Sequence, residues 1–96
     1  MYAVCVTFRL HPGQAAAFMP LMLANATTSK QLEPGCHQFD VATNPDDPEA
    51  VFLYELYRNR AAFDAHLARG HFKDFDAAVA DMIAEKTVQT WTRVVQ

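Results

Sequence analysis

Three polar side chains stand at positions where the surrounding sequence pattern requires apolar ones. Asn25 interrupts the apolar stripe of a predicted helix, Glu55 lies inside an apolar strand, and His66 lies on the apolar face of a short helix. Burying such groups without partners costs roughly 1–3 kcal/mol each, so each position needs a reason. An imidazole, with an unperturbed pKa of about 6.5, exchanges protons near neutral pH. The three residues are therefore candidates for a proton-transfer site.

The first third of the chain predicts a strand followed by a long helix. Tyr2–Leu10 alternates with period two, and His11-Pro12-Gly13 ends that strand. The following helix is expected to run to about Leu32, where Glu33-Pro34-Gly35 stops it. Three- and four-residue spacing gives this helix one stripe, formed by Phe18, Met22, Asn25, Ser29 and Leu32. Asn25 is thus expected to face the core.

The remainder predicts three strands and a pair of helices. Strands are expected at Cys36–Thr43 and Val51–Tyr57, joined by the polar turn Asn44–Glu49. Arg60–Ala84 predicts two helices that meet at Gly70-His71, and Thr87–Val95 predicts the last strand. The order β-α-β-β-α-β indicates an α+β, ferredoxin-like fold with a four-stranded antiparallel sheet and helices on one face. We expect residues 1–96 to form a single domain.

The sheet face away from the helices is also predicted to be buried against another surface. The first and third strands are largely apolar on both sides, whereas a sheet wet on one side alternates apolar with polar residues. We therefore expect a homodimer packed through the sheets. Because neighbouring residues of a strand point to opposite faces of the sheet, Tyr54 and Glu55 face different sides, and we expect Tyr54 to point at the helices. Glu55 is then expected to orient His66 or to pair across the interface with Arg9 or Arg93.

Composition excludes several classes of protein. At 51% hydrophobic and 20% charged residues, the 96-residue chain is typical of a globular protein. It has no apolar run near the roughly 20 residues that span a bilayer, and its first residues resemble a strand rather than a signal peptide, so cytoplasmic residence is expected. A net charge of −3 with eight scattered Lys and Arg argues against nucleic acid. Cys5 and Cys36 are expected to be reduced and packed, with a nucleophile or a disulfide as alternatives.

Several segments carry a family resemblance that extends over essentially the whole chain. They are Asn25, Glu33-Pro34-Gly35-Cys36 with Phe39-Asp40-Val41, Leu53–Tyr57, and Ala62–Leu67 leading to His71-Phe72. With these the chain resembles the antibiotic biosynthesis monooxygenase superfamily, which includes quinol monooxygenases. The resemblance implies a dimeric ferredoxin-like α/β barrel and cofactor-independent oxidation of electron-rich phenols, anthrones or quinols by O2. The superfamily also contains a phospho-sugar isomerase of signal-molecule breakdown and haem-degrading enzymes.

The resemblance and the residue types together suggest roles for individual residues. Asn25 matches the pocket asparagine of the oxygenases, whereas the only tryptophan, Trp91, lies in the last strand and does not match their pocket tryptophan. His66 is expected to take a proton from a quinol hydroxyl, and Asn25 with Tyr54 to hold the oxyanion. The apolar walls of the substrate pocket are expected to be Phe18, Met22, Phe63 and Leu67. No cofactor is required.

Other functions and simpler structural roles stay open at this point. The same pocket also suits an isomerase in which His66 shuttles protons, or a dimer that only binds a ligand. His66 can instead bond Glu55 or a backbone carbonyl within the core, and Asn25 or Tyr54 can serve packing alone. A metal site is not expected, because His66 and His71 are five residues apart rather than four. His11 and His37 are expected at the surface.

Overall fold

A computed structural model describes all 96 residues. Its elements are β1 (Tyr2–Leu10), α1 (Ala15–Leu32), β2 (Cys36–Asn44), β3 (Asp47–Tyr57), α2 (Arg60–Ala68), α3 (Gly70–Val79), a 3₁₀ turn at Ala80–Met82 and β4 (Ile83–Trp91). The strands form one antiparallel sheet in the order β2-β3-β1-β4. This architecture confirms the predicted ferredoxin-like α+β fold. No helix combines the length and the apolar character needed to cross a membrane.

Three strands have different bounds from those predicted, and β2 differs only by ending at Asn44 instead of Thr43. Asn44 pairs with Asp47, so only Pro45-Asp46 form the turn and β3 starts four residues before Val51. The Arg9 guanidinium supports this extension by donating to both carboxylate oxygens of Asp47, at 2.9 and 2.7 Å. β4 begins at Ile83 because that residue pairs with Leu10, and it ends at Trp91 rather than Val95.

The core lies between the sheet and the buried face of α1. Phe18, Met22, Asn25, Ala26 and Ser29 form that face, as the predicted stripe required. Leu32, by contrast, is 59% exposed, so its predicted place in the stripe is wrong. Glu33, the C-cap residue of α1, instead turns a buried side chain inward. A carboxylate thus occupies the end of the stripe where an apolar group was expected.

The orientation predicted for Tyr54 and Glu55 is wrong. β3 pairs with β1 so that Glu55 lies opposite Val4 and Tyr54 lies opposite Cys5. Val4 belongs to the core between sheet and helices, and paired residues of antiparallel strands share a face. Glu55 therefore points toward the helices, and Tyr54 lies on the outer face. The expected pairing of Glu55 with Arg9 or Arg93 across an outer-face interface is wrong as well, since Glu55 is buried on the helix-facing side of the sheet.

Gly35 marks a close approach between the start of β2 and α2. A Cβ added at Gly35 would lie 2.5 Å from the Cβ of Ala62, whereas a Cβ at Gly70 would meet nothing within 4 Å. We expect Gly35→Ala to lower the free energy of unfolding by roughly 1–3 kcal/mol, because the helix must shift to make room. Gly70→Ala should be neutral, or stabilising by up to about 1 kcal/mol. Urea unfolding of both variants checks this, and equal midpoints would contradict the close approach.

Candidate active site

A cavity of about 60 Å³ lies between the three helices and the helix-facing side of the sheet. For comparison, an apolar protein cavity of about 150 Å³ binds benzene, so a small aromatic molecule enters this space only when lining side chains move apart. Most of its lining is apolar, and four polar residues converge on it: Asn25, Glu55, His66 and Lys86. The apolar lining includes Val4, Val6, Phe8, Met22, Phe39, Leu53, Phe63, Leu67, Phe72, Phe75 and Val88.

His66 is held in this lining by α2. The side chain of Asn59 caps the helix by accepting from the Ala62 N–H at 2.9 Å, as its sequence position suggested. His66 is 2% exposed, and its Nδ1 lies 2.9 Å from Oε2 and 3.2 Å from Oε1 of Glu33. An ionised carboxylate only accepts, so the Nδ1–H donates and the Nε2 lone pair stays available. The prediction that His66 bonds Glu55 or a backbone carbonyl is wrong.

The protonation of His66 is set by burial and by Glu33. Burial lowers the pKa of His66, and the Glu33 carboxylate partly opposes this effect. The neutral imidazole is therefore favoured near neutral pH. A neutral imidazole with its proton fixed on Nδ1 is the form in which Nε2 accepts a proton from a bound molecule.

Glu33 joins His66 to a second histidine. Oε2 of Glu33 lies 2.7 Å from Nε2 of His71, which is also 3.3 Å from the hydroxyl of Ser29. The histidines meet there because the chain is extended at Arg69, between α2 and α3, so they belong to different helices. The five-residue spacing, which argued against a shared site on one helix, therefore does not keep the two imidazoles apart.

Asn25 is the one buried polar side chain without a partner. It is 5% exposed, lines the cavity from α1, and makes no side-chain hydrogen bond. Its Oδ1 is fully buried and unbonded. Leaving such a group unsatisfied costs about 1–3 kcal/mol. A bound molecule or water that bonds the amide would recover that cost, which makes Asn25 the strongest sign that the cavity is built for a ligand.

Glu55 brings a second titratable group into the cavity. The Tyr57 hydroxyl donates to Oε1 of Glu55 at 2.6 Å. Burial raises the pKa of Glu55 to about 7, although the Tyr57 hydrogen bond and Lys86 pull it down. Lys86 itself reaches over the ring of Phe8, 5.6 Å from its centroid. Near neutral pH the Glu55 carboxyl can therefore donate or accept a proton.

The raised pKa of Glu55 predicts a pH-dependent stability difference. Because the folded protein holds the Glu55 proton up to about pH 7 and the unfolded chain only to about 4.5, stability falls as pH rises between these values. The loss amounts to about 3 kcal/mol at about 1.4 kcal/mol per pKa unit. Glu55→Gln lacks this loss. Urea unfolding at pH 4.5 and 8 should show that the free energy of unfolding of Glu55→Gln, relative to that of the wild type, is higher at pH 8. An equal difference between the two proteins at both pH values would contradict the raised pKa.

The remaining predicted site residues divide between the cavity and other places. Met22, Phe63 and Leu67 line the cavity as expected. Phe18 packs in the core beside it, with its ring 5.3 Å from that of Phe8 and 6.0 Å from that of Phe75. Tyr54 does not line it, because it lies on the outer face. His11 and His37 are exposed, as predicted.

Sequence reasoning missed Glu33 and the inward position of Glu55. The Glu33-Pro34-Gly35 segment predicts the end of a helix and carries part of the family resemblance, but neither feature predicts that the Glu33 carboxylate is buried. Phe72, Phe75, Lys86 and Val88 also line the cavity and were not predicted to do so. Phe72 and Phe75 recur at helical spacing with Val79, and this apolar stripe is the sequence signal that could have placed them at the cavity.

Comparisons with known proteins agree with this architecture. The family model described as "Antibiotic biosynthesis monooxygenase" matches residues 1–78. The chain belongs to this family. "Putative monooxygenase Rv0793" of Mycobacterium tuberculosis (strain ATCC 25618 / H37Rv) is 31% identical over 88 residues, which cover 92% of this chain and 85% of the relative.

Solved structures extend the similarity to the whole fold of this family member. The structure described as "Putative antibiotic biosynthesis monooxygenase from Nitrosomonas europaea" superposes with a TM-score of 0.92 at 29% identity, covering 99% of this chain and 100% of that one. The structure of Rv0793 from Mycobacterium tuberculosis gives a TM-score of 0.88 at 26% identity, covering 99% and 96%. The family resemblance predicted from the sequence is thereby confirmed.

Proposed function

We propose that this protein is a cofactor-independent monooxygenase that oxidises a small quinol or another electron-rich aromatic with O2. One observation carries the proposal. A buried imidazole whose Nδ1 is held by Glu33 lines an apolar cavity together with an unpartnered amide, that of Asn25. A weakly acidic hydroxyl on a flat apolar ring is complementary to this set, and family membership makes oxygen chemistry the leading reaction class.

The first step is removal of a proton from the substrate hydroxyl. The proton moves to Nε2 of His66, and the imidazolium that forms is stabilised by the Glu33 carboxylate 2.9 Å from its Nδ1. No hydrogen bond within the protein uses the amide N–H donors of Asn25, so they can hold the phenolate oxygen. The unbonded Oδ1 of Asn25 needs a donor, which a substrate hydroxyl supplies before it loses its proton.

The second step is oxidation of the anion by O2. A quinolate is electron-rich enough to give electrons to O2 directly, and carbon–oxygen bond formation followed by loss of water gives a hydroxylated quinone. The overall balance is one quinol and one O2 to one hydroxyquinone and one water. Both electrons that reduce the second oxygen atom come from the substrate, so this balance needs no flavin, metal or external reductant.

We also propose that the protein acts as a homodimer packed through the outer face of the sheet. Phe52 and Trp91 lie on that face and are exposed, and Tyr54 lies between them and is half-buried. Large apolar side chains grouped on one sheet face are typical of a surface that a partner covers. Light scattering at micromolar concentration tests the proposal, and a stable monomer would contradict it.

Oxygen uptake tests the proposed reaction class. Protein freed of metal and flavin is mixed with a panel of one- and two-ring quinols under air and under nitrogen, with His66→Gln as the matched control. We expect protein-dependent O2 consumption with at least one quinol, and little with the variant. An isomerase would convert its substrate equally under nitrogen, and a binding protein would convert nothing. No uptake across the panel would overturn the oxygenase proposal.

A further inference from the structure

The Glu33–His66–His71 cluster contains more potential metal-ligand atoms than a proton-transfer site requires. One carboxylate oxygen and two imidazole nitrogens, from the end of α1, from α2 and from α3, lie within 4.8 Å of one another. To position His66, the bond from Glu33 is sufficient. His71 adds a second nitrogen 2.7 Å from the same Oε2 atom. We propose that Glu33, His66 and His71 form a binding site for a divalent transition-metal ion, with Zn²⁺ as the ion that fits best.

The spacing of the three donors suits tetrahedral coordination. Zn²⁺ binds imidazole nitrogen and carboxylate oxygen at about 2.0–2.2 Å, which puts tetrahedral ligand atoms about 3.4 Å apart. The nitrogens of His66 and His71 now lie 2.9 and 2.7 Å from Oε2, held by hydrogen bonds. Each nitrogen needs to move away from Oε2 by roughly half an ångström to reach the ligand spacing around an ion. Side-chain rotation is sufficient for such a shift, and the backbone can stay in place.

The cluster also has an entry path and an open fourth position. Glu33 and His66 are almost fully buried, whereas the side chain of His71 is 19% exposed. His71 lines a surface groove that contains one carboxylate, that of Asp74, and no Lys or Arg, so the groove attracts cations. The hydroxyl of Ser29, 3.3 Å from Nε2 of His71, is close enough to bond a water on the ion. Three protein ligands and one water are the usual set of an open zinc site.

Metal binding and the proposed base role of His66 exclude each other. A metal on Nδ1 leaves the ring proton on Nε2, so His66 then presents a donor instead of a lone pair to the cavity. This consequence rests on the proposed function, while the binding site itself does not. A metal ion bound to the cluster would therefore inhibit the oxygenase reaction.

Calorimetric titration with ZnCl₂, without any substrate, tests the site. The protein carries no affinity tag and is treated with a chelator before the titration. We expect one Zn²⁺ per chain, and at least about a 100-fold weaker binding in His71→Ala, since even outer-shell changes cost 10–100-fold. His37→Ala is the matched control, because it removes an exposed imidazole outside the cluster and should bind like the wild type.

Two further measurements keep the test decisive. Co²⁺ should give the visible absorption of a tetrahedral site without the thiolate band that Cys5 or Cys36 would produce. Glu33→Gln should lose this spectrum, with folding verified by circular dichroism. Absence of Zn²⁺ binding by the wild type, or equal binding by the wild type and His71→Ala, would overturn the proposal. Because no turnover is measured, this outcome leaves the proposed function untouched.

Discussion

Replacing His66 by glutamine should lower the turnover of a quinol substrate by about 100-fold or more. Glutamine keeps a donor for Glu33 and fills a similar volume, but it has no lone pair of suitable basicity to accept the hydroxyl proton. Loss of a positioned general base typically costs 10²–10⁴-fold. Steady-state O2 consumption at saturating quinol measures the effect as a change in kcat.

A control separates this effect from damage to the fold. His37→Gln makes the same chemical change at an exposed position and should keep full turnover. Urea unfolding should show that His66→Gln remains folded under assay conditions. A folded His66→Gln variant with wild-type kcat would contradict the assignment of His66 as the base.

Replacing Asn25 by alanine should change activity and stability in opposite directions. Turnover should fall by about 100-fold or more, because a donor to the developing oxyanion is lost. Stability should hold or rise slightly, because the variant removes a buried amide that has no hydrogen bond and places a stronger helix former in α1. Measurement of kcat and urea unfolding on the same preparation shows both effects.

Thr27→Ala supplies the matched control for Asn25→Ala. Thr27 lies on the exposed side of α1, so this change brings the gain in helix propensity without altering the cavity. Its turnover should equal that of the wild type. If Asn25→Ala were less stable than the wild type while Thr27→Ala were not, Asn25 would be a packing residue and its assigned role would be wrong.

The fold was largely predictable because its information is local. The alternation in Tyr2–Leu10, the stripe of α1 and the stops at Pro34-Gly35 and Gly70 each depend on short-range pattern. Strand ends were less accurate, since the bounds of β3 and β4 depend on pairing with β1 across the sheet. The start of β3 at Asp47 depends on a contact with Arg9, and no local sequence pattern predicts it.

The candidate site was only partly predictable because its key contacts are long-range. Asn25 and His66 were found since each breaks an apolar pattern. Glu33 was missed because its partner is 33 residues away in sequence and its own segment has the form of an ordinary helix end. The orientations of Glu55 and Tyr54 were predicted the wrong way round. Both faces of β3 are apolar, so alternation alone does not tell which face meets the helices.

We propose that the protein inserts an oxygen atom from O2 into an electron-rich aromatic bound in the cavity between Asn25 and His66. Mass spectrometry of the product formed under ¹⁸O2 tests it most directly, using the quinol that gives the highest protein-dependent O2 uptake. We expect one ¹⁸O atom per product molecule and one in water, with labelled product strongly reduced in His66→Gln and Asn25→Ala. A product without ¹⁸O, or labelling that persists unchanged in both variants, would contradict the claim.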